Sequence, residues 1–216
     1  NRKRSGARVK LTSMTLLTLL VWLGTLTFAA SGALVGVRRG FDPVGVTVLA
    51  AVTAVGGGSV RDVLVGRLPP AALQDEALLW GVALVGLAVF FLHGRFHEGR
   101  LLYSLDTLGL AVFAALGAQR GVSAELGMWG TVFAGAVSGV GGGVLRDLLT
   151  GQVPGIFYRS GDLYATAAAV GALTVYLLQG LGEVALVAGA LVTLALRVGS
   201  RLLGVRLPVP RDPGGA

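Results

Sequence analysis

One stretch of this chain, Val55-Gly-Gly-Gly-Ser-Val-Arg-Asp-Val-Leu-Val-Gly-Arg-Leu-Pro69, recurs as Val140-Gly-Gly-Gly-Val-Leu-Arg-Asp-Leu-Leu-Thr-Gly-Gln-Val-Pro154. Each copy places three adjacent glycines before an Arg-Asp pair, and each then reaches a glycine and a proline. A glycine disfavours a helix interior by about 1 kcal/mol relative to alanine. Both triplets therefore need a structural or functional reason.

The duplication extends beyond the glycine motif. With a shift of 85 residues, the separation of Val55 and Val140, Leu23-Gly-Thr-Leu-Thr-Phe-Ala-Ala-Ser-Gly-Ala33 aligns with Leu108-Gly-Leu-Ala-Val-Phe-Ala-Ala-Leu-Gly-Ala118 without a gap. The sequence therefore predicts two homologous repeats. We place a basic tail at residues 1–12, the repeats at 13–93 and 98–179, a seventh helix at 183–205 and a C-terminal tail at 206–216.

The composition is that of a membrane protein. Hydrophobic residues make up 54% of the chain and charged residues 13%, and the mean hydropathy is +0.77. About 20 apolar residues in a helix cross the hydrocarbon core of a bilayer. Apolar blocks predict seven transmembrane helices, near residues 13–37, 43–66, 76–93, 101–119, 126–149, 162–179 and 183–203. Arg197 and Arg201 interrupt the last block, and we expect both to snorkel to the interface.

Each predicted repeat contains three spans, and three is an odd number. The second repeat then begins on the opposite side of the membrane, so a pseudo-two-fold axis in the membrane plane relates the repeats. The expected fold is all-α, with two inverted three-helix repeats plus a seventh helix. Once the N-terminal tail is discounted, more arginines lie on the side of the C-terminus, so the positive-inside rule predicts that this side is cytoplasmic. We expect the protein to lie in the cell (inner) membrane.

The glycine triplets have two interpretations. Small residues allow close helix packing, so Gly56 to Gly58 could form a crossing point with Gly141 to Gly143. Packing needs small residues about four apart, however, and three in a row free the backbone on every face. We therefore expect the second and fifth helices to be kinked or broken there, with freed backbone groups facing a watery pathway.

The Arg-Asp pairs also need partners. Sequence neighbours lie about 100° apart on a helix, which disfavours a mutual pair. The pseudo-two-fold axis suggests that Arg61 pairs with Asp147 and that Arg146 pairs with Asp62. The alternative is that these residues lie at the membrane surface and only end their helices.

Asp106 has no acidic counterpart in the first repeat, where Val21 takes its place. The repeat alignment puts Asp106 about two turns inside the fourth helix. An intramembrane carboxylate usually has a function, so we expect Asp106 to line the pathway.

Several function classes are disfavoured. The net charge of +7 comes from residues scattered at span ends, which suits lipid headgroups and not nucleic acid. There is no cysteine, and His93 and His97 are read as parts of a solvated loop, so no metal site is predicted. No phosphate loop or nucleophile elbow is present. The sequence predicts neither an enzyme nor a cofactor.

The doubled Gly-Gly-Gly-x-x-Arg-Asp motif resembles that of the trimeric intracellular cation (TRIC) channel family, most closely its bacterial branch. The resemblance covers about residues 14–208 and includes Asp106-Thr-Leu-Gly-Leu and Arg201-Leu-Leu-Gly-Val-Arg-Leu-Pro208. It implies a homotrimer with one pore in each protomer and permeation of K⁺ and other monovalent cations. Some bacterial relatives are labelled glycine transporters, which keeps secondary transport of glycine or another small amino acid open.

A cation pathway needs oxygen ligands, and unpaired arginines would oppose it. If Arg61 and Arg146 are free, they favour a substrate that carries a carboxylate; if they are paired, they can act as a gate or a brace. The residues predicted to line the pathway are Gly56, Gly57, Gly58, Ser59, Arg61, Asp62, Asp106, Ser138, Gly141, Gly142, Gly143, Arg146 and Asp147.

Overall fold

The computed structural model describes residues 2–95, 98–157 and 163–205. Seven α-helices account for most of these residues. They are α1 (Arg2–Arg38), α2 (Pro43–Leu64), α3 (Glu76–Leu92), α4 (Glu98–Ser123), α5 (Met128–Leu149), α6 (Tyr164–Leu177) and α7 (Glu183–Leu203). The predicted all-α fold with two inverted three-helix repeats and a seventh helix is confirmed.

Five of the described helices are long and apolar enough to cross a membrane, and α3 and α6 are shorter apolar helices. The two short helices are the third helix of each repeat. Large apolar side chains such as those of Trp80, Trp129 and Phe133 are exposed, while buried positions include many serines, threonines and arginines. Lipid covers such an exterior, and buried polar groups must then pair inside the protein.

Equivalent residues of the two repeats face each other, as an axis between the repeats requires. Phe28 of α1 and Phe113 of α4 are 85 residues apart and stack with ring centroids 5.4 Å apart. Gly24 makes room for the Phe113 ring, since a Cβ there would lie 3.1 Å from it. Gly109, the equivalent of Gly24, makes room for the Phe28 ring in the same way. The first helices of the repeats therefore pack on each other through a symmetric aromatic pair.

The glycine after each motif ends the helix. Gly66 and Gly151 adopt positive φ angles of 74° and 69°, which glycine tolerates without strain. The next amides, of Arg67 and Gln152, donate to the carbonyl oxygens of Asp62 and Asp147, each at 2.8 Å. This is the hydrogen bond of a Schellman motif, which stops an α-helix at a left-handed glycine. The helix end is thus formed by the glycine that follows each Arg-Asp pair.

The glycine triplets lie inside α2 and α5, and both helices are continuous through them. The expected break in the helix is therefore wrong, and a kink stays a prediction. A Cβ on Gly57 would lie 2.6 Å from the carbonyl oxygen of Ser138, and one on Gly141 would lie 2.8 Å from Cα of Gly57. The triplets are the crossing point of α2 and α5, where the two backbones touch. Close packing, the interpretation that was set aside, explains Gly57, Gly141 and Gly142, whose added Cβ atoms would meet the backbone of the facing helix.

Some boundaries differ from the predicted ones. The first helix begins at Arg2 and includes residues 2–12 of the predicted basic tail, while its candidate membrane span is Leu16–Arg38. The sixth helix begins at Tyr164 and has 14 residues. The C-terminal tail from residue 206 lies outside the described residues.

Candidate functional site

Two cavities lie on opposite sides of the glycine crossing. The first cavity, of about 350 Å³, is bordered by Gly58, Arg61 and the Ser123 end of α4. The second cavity, of about 170 Å³, is bordered by Gly143, Arg146 and the Asp106 end of α4. Since Gly58 and Gly143 are equivalent, as are Arg61 and Arg146, the cavities are related by the repeat. Each copy of the motif therefore faces its own cavity.

In the first cavity, Arg61 is held by two partners. Its Nε and Nη2 donate to Oδ1 of Asp62 at 3.0 and 2.8 Å, and its Nη1 donates to Oγ of Ser138 at 2.9 Å. The other oxygen of Asp62, Oδ2, accepts from the backbone amide of Ala71 at 2.9 Å. Asp62 thus neutralises the arginine and anchors the loop that follows α2.

In the second cavity, Arg146 repeats this geometry and adds to it. Its Nε and Nη2 donate to Oδ1 of Asp147 at 3.1 and 3.0 Å, while Oδ2 of Asp147 accepts from the amide of Gly155 at 3.3 Å. Its Nη1 donates to Oγ of Ser31 at 2.6 Å and to Oδ1 of Asp106 at 2.8 Å. Arg146 therefore connects α1, α4 and α5.

Asp106 joins two arginines from different helices. Its Oδ1 accepts from Arg146, and its Oδ2 accepts from Nη2 of Arg197 on α7 at 2.7 Å. Asp106 is 4% exposed and Arg197 is 5% exposed. The expectation that Arg197 snorkels to the interface is wrong, because a carboxylate deep in the protein offers its charge a partner. Arg201 is exposed, as a snorkelling arginine should be.

Two tyrosines complete the surroundings of Arg197. Its guanidinium carbon lies 4.2 Å from the ring centroid of Tyr164 and 5.1 Å from that of Tyr103. The Tyr103 hydroxyl donates to the backbone carbonyl oxygen of Arg197 at 3.2 Å. Aromatic faces stabilise a buried cation through the quadrupole of the ring. These contacts fix the arginine between α4, α6 and α7.

The proposed pairing across the axis is wrong: each motif arginine pairs with the aspartate that follows it. The 100° between neighbouring Cβ directions does not prevent this, because the long arginine side chain bends around its own helix to a single carboxylate oxygen. The structure places Ser138 against Arg61, whereas Oγ of Ser59 is buried without a hydrogen-bond partner among the described residues. The predicted pathway residues thus group around the crossing and the two motif ends.

The histidine pair does not give a metal site within the described part of the chain. His93 is exposed and its Nδ1 is 2.7 Å from the carbonyl oxygen of Phe90, while His97 lies outside the described residues. No group of three potential acidic or imidazole ligands occurs among residues 2–95, 98–157 and 163–205.

Sequence reasoning missed two residues that border the second cavity, Tyr164 and Arg197, and it missed Ser31, whose hydroxyl accepts from Arg146. None has a repeat equivalent of the same type: Leu116 matches Ser31, Leu79 matches Tyr164, and α7 lies outside the repeats. One signal was available for Arg197. An unmatched carboxylate at Asp106 and an arginine inside an apolar span each need a buried partner, and each is the natural partner of the other.

These features define a class, namely a multi-pass helical membrane protein with two inverted repeats and charged pairs at the repeat interface. A family model described as Glycine transporter matches the chain twice, over residues 18–94 and 103–180. The chain belongs to this family. It is 51% identical over 212 residues to a UPF0126 membrane protein of Deinococcus radiodurans, covering 94% of this chain and 97% of that relative. It is 35% identical to the UPF0126 inner membrane protein YadS of Escherichia coli K12, covering 88% and 95%.

Solved structures of TRIC channels share the fold. One solved structure, reported as the structural basis for conductance through TRIC cation channels, matches with a TM-score of 0.84 and 35% identity. The match covers 92% of this chain and 98% of that chain. The TRIC orthologue from Rhodobacter sphaeroides matches with a TM-score of 0.81 and 35% identity over 88% and 100%. The resemblance to TRIC channels that the glycine motifs indicated is confirmed.

Proposed function

We propose that this protein is a homotrimeric cation channel permeable to K⁺, with one pathway in each protomer. The pathway runs from the first cavity, past the crossing of α2 and α5, to the second cavity. The observation that carries the proposal is the pairing of the three buried arginines with carboxylates: Arg61 with Asp62, Arg146 with Asp106 and Asp147, and Arg197 with Asp106. Arg120 also borders the first cavity, where Asp62 and Asp75 balance the formal charges of Arg61 and Arg120. Paired arginines present little net positive charge to a passing cation.

The fold of solved TRIC cation channels supports the same conclusion. The trimer, the surrounding lipid and the choice of K⁺ are carried over from that resemblance. The two helix backbones touch at Gly57 and Gly141, so conduction requires α2 and α5 to move apart or bend at the triplets. Glycine gives a helix that freedom, and the backbone carbonyls of the triplets, with Ser59 and Ser138, would then offer oxygen ligands to the ion.

We also propose that the protein lies in the cell (inner) membrane with its C-terminus in the cytoplasm. The arginines at the C-terminal ends of α1 and α7 support this orientation. The relative from Escherichia coli is named an inner membrane protein.

Secondary transport of glycine or another small amino acid is the second candidate. The name of the family model supports it, as does the architecture. Inverted repeats with one cavity on each side of a central crossing are the plan of many alternating-access transporters. In that case α2 and α5 would rock against each other and would never open both cavities together.

K⁺ conductance of the purified protein in planar bilayers tests the channel proposal. Gly57→Ala is the informative variant, because its Cβ would press on the Ser138 carbonyl oxygen. Gly199→Ala is its matched control, because Gly199 lies inside α7, away from the crossing, and no atom lies within 4 Å of a Cβ there. We expect discrete cation-selective openings whose open probability changes in Gly57→Ala and stays near the parent value in Gly199→Ala. Electrically silent bilayers, with saturable glycine uptake in matched liposomes, would contradict the channel and support the transporter.

A further inference from the structure

The second cavity contains buried hydrogen-bond donors that the protein does not use. Nη2 of Arg197 donates to Asp106, but Nε and Nη1 of Arg197 have no hydrogen-bond partner among the described residues. The hydroxyl of Tyr164 is also buried without a partner there. Arg197 is 5% exposed, and both side chains border the second cavity. Leaving charged donors unpaired in a buried site is costly, so an acceptor is expected to meet them.

The acceptors of the protein itself are largely engaged. Both oxygens of Asp106 accept from arginines, and Oδ1 of Asp147 accepts twice from Arg146. Oδ2 of Asp147 has only a long contact of 3.3 Å with the Gly155 amide. The cavity therefore has donors to spare at Arg197 and Tyr164 and an underused acceptor at Asp147.

The charges around the cavity limit the ligand. Two arginines, Arg146 and Arg197, face two aspartates, Asp106 and Asp147, so their formal charges cancel. A dianion such as phosphate would add two uncompensated negative charges beside Asp106 and Asp147. A small zwitterion adds no net charge, and it matches spare donors with its carboxylate and the spare acceptor with its ammonium group.

We propose that the second cavity is a binding site for a small amino acid, whose carboxylate is held by Arg197 and Tyr164 and whose ammonium group faces Asp147. The volume of about 170 Å³ equals the share of roughly five or six liquid water molecules. That space suits an amino acid with little or no side chain. Gly143 helps to form the site, because a Cβ at this position would lie 2.6 Å from the Tyr164 hydroxyl.

The first cavity does not provide the same set of groups. Leu79 occupies the position equivalent to Tyr164 and Val21 that of Asp106, and α7 supplies an arginine only to the second cavity. The proposed site is thus a property of one cavity and of the seventh helix. It rests on the second candidate of the proposed function, and it assigns the residues that would hold the small amino acid.

Equilibrium binding of radiolabelled glycine to the purified protein tests the proposal, with unlabelled glycine, acetate, methylamine and chloride as competitors. Tyr164→Phe removes one hydroxyl and keeps the ring, and Arg197→Gln removes the charged donors. Arg201→Gln is the matched control, because it removes an exposed arginine one turn away that stacks on Tyr103 with its guanidinium carbon 3.8 Å from the ring centroid.

We expect saturable glycine binding in the parent and in Arg201→Gln, at least roughly tenfold weaker binding in Tyr164→Phe, and a larger loss in Arg197→Gln. Competition by acetate as well as glycine would assign recognition to the carboxylate, and competition by glycine alone would assign it to the zwitterion. Either result supports the site.

Absence of glycine binding in the parent would overturn the proposal, as would competition by methylamine or chloride without acetate. Unchanged binding in Tyr164→Phe would also overturn it, even if Arg197→Gln fails to fold. K⁺ conductance is measured on the same preparation. If the protein conducts K⁺ but binds no glycine, the proposed site is wrong and the channel proposal stands. If the protein binds glycine but does not conduct, the site is supported and the channel proposal is wrong.

Discussion

The two cavities begin from the same motif and end with different networks. Around the first, Arg61 has one aspartate and one serine as partners. Around the second, Arg146 has two aspartates and a serine, and Asp106 links it to Arg197 of α7. The second cavity is also about half the volume of the first, at about 170 against 350 Å³.

This difference shows how a duplicated protein acquires an asymmetric function. The repeats supply two equivalent arginines, Arg61 and Arg146. Only the second repeat has a carboxylate, Asp106, at the position where the first repeat has Val21. Asp106 and the seventh helix together make Arg146 part of a larger network. The second cavity is therefore expected to be the more rigid, because its charged groups connect α1, α4, α5 and α7. The first cavity is held by fewer contacts and is the side on which α2 can move with less resistance.

The largest effect is expected from Asp106→Ala. This change leaves Arg197 without its carboxylate and Arg146 with only Asp147, and removing one partner of a buried ion pair costs about 3 to 5 kcal/mol. Val21→Ala, the equivalent change beside the first cavity, removes only apolar contacts and is expected to cost about 1 kcal/mol. Thermal unfolding in detergent measures both.

A compensating variant sharpens this test. Asp106→Ala combined with Arg197→Met removes the uncompensated cation, so we expect the double variant to be more stable than Asp106→Ala alone. A double variant no more stable than the single one would mean that Arg197 does not depend on Asp106. The proposed asymmetry between the cavities would then lose its basis.

A smaller difference is expected between two serines. Ser138→Ala removes one of the two partners of Arg61, and a hydrogen bond to a charged group contributes about 1.5 to 3 kcal/mol. Ser31→Ala removes one of the partners of Arg146, which keeps Asp106 and Asp147, so we expect about 1 kcal/mol or less. Unfolding midpoints of the two variants measure the difference. A larger loss in Ser31→Ala would show that the second network is the more fragile.

The architecture was predictable because it depends on properties that repeat along the chain. Apolar blocks gave the helices, and the shift of 85 residues gave the inverted pair. The observed ends of α2 and α5, at Leu64 and Leu149, lie close to the predicted span ends at residues 66 and 149. Each of these signals occurs at least twice along the chain, so a misleading residue at one position does not change the predicted architecture.

The site was only partly predictable, for the same reason. Symmetry was used to pair the arginines across the axis, yet each bends back to the neighbouring aspartate. Ser31, Tyr164 and Arg197 have no repeat equivalents of their type, so the alignment carried no information about them. The glycine triplets were taken as flexible points, while their static role is to let two backbones touch, which depends on the facing helix.

The smallest expected effect distinguishes the two cavities at their glycines. Gly143→Ala brings a Cβ to 2.6 Å from the Tyr164 hydroxyl, whereas the Cβ of Gly58→Ala lies 3.6 Å from Arg61 Nη2. The tyrosine tip can move, so Gly143→Ala should cost only about 1 kcal/mol. Gly58→Ala should be neutral or stabilise by up to about 1 kcal/mol through helix propensity.

Unfolding midpoints of the two variants test this. Equal losses would mean that flexibility at the triplets, and not the space around them, determines stability. A loss of stability confined to Gly143→Ala would mean that the second cavity is closely packed at Gly143 as well as around its charged groups.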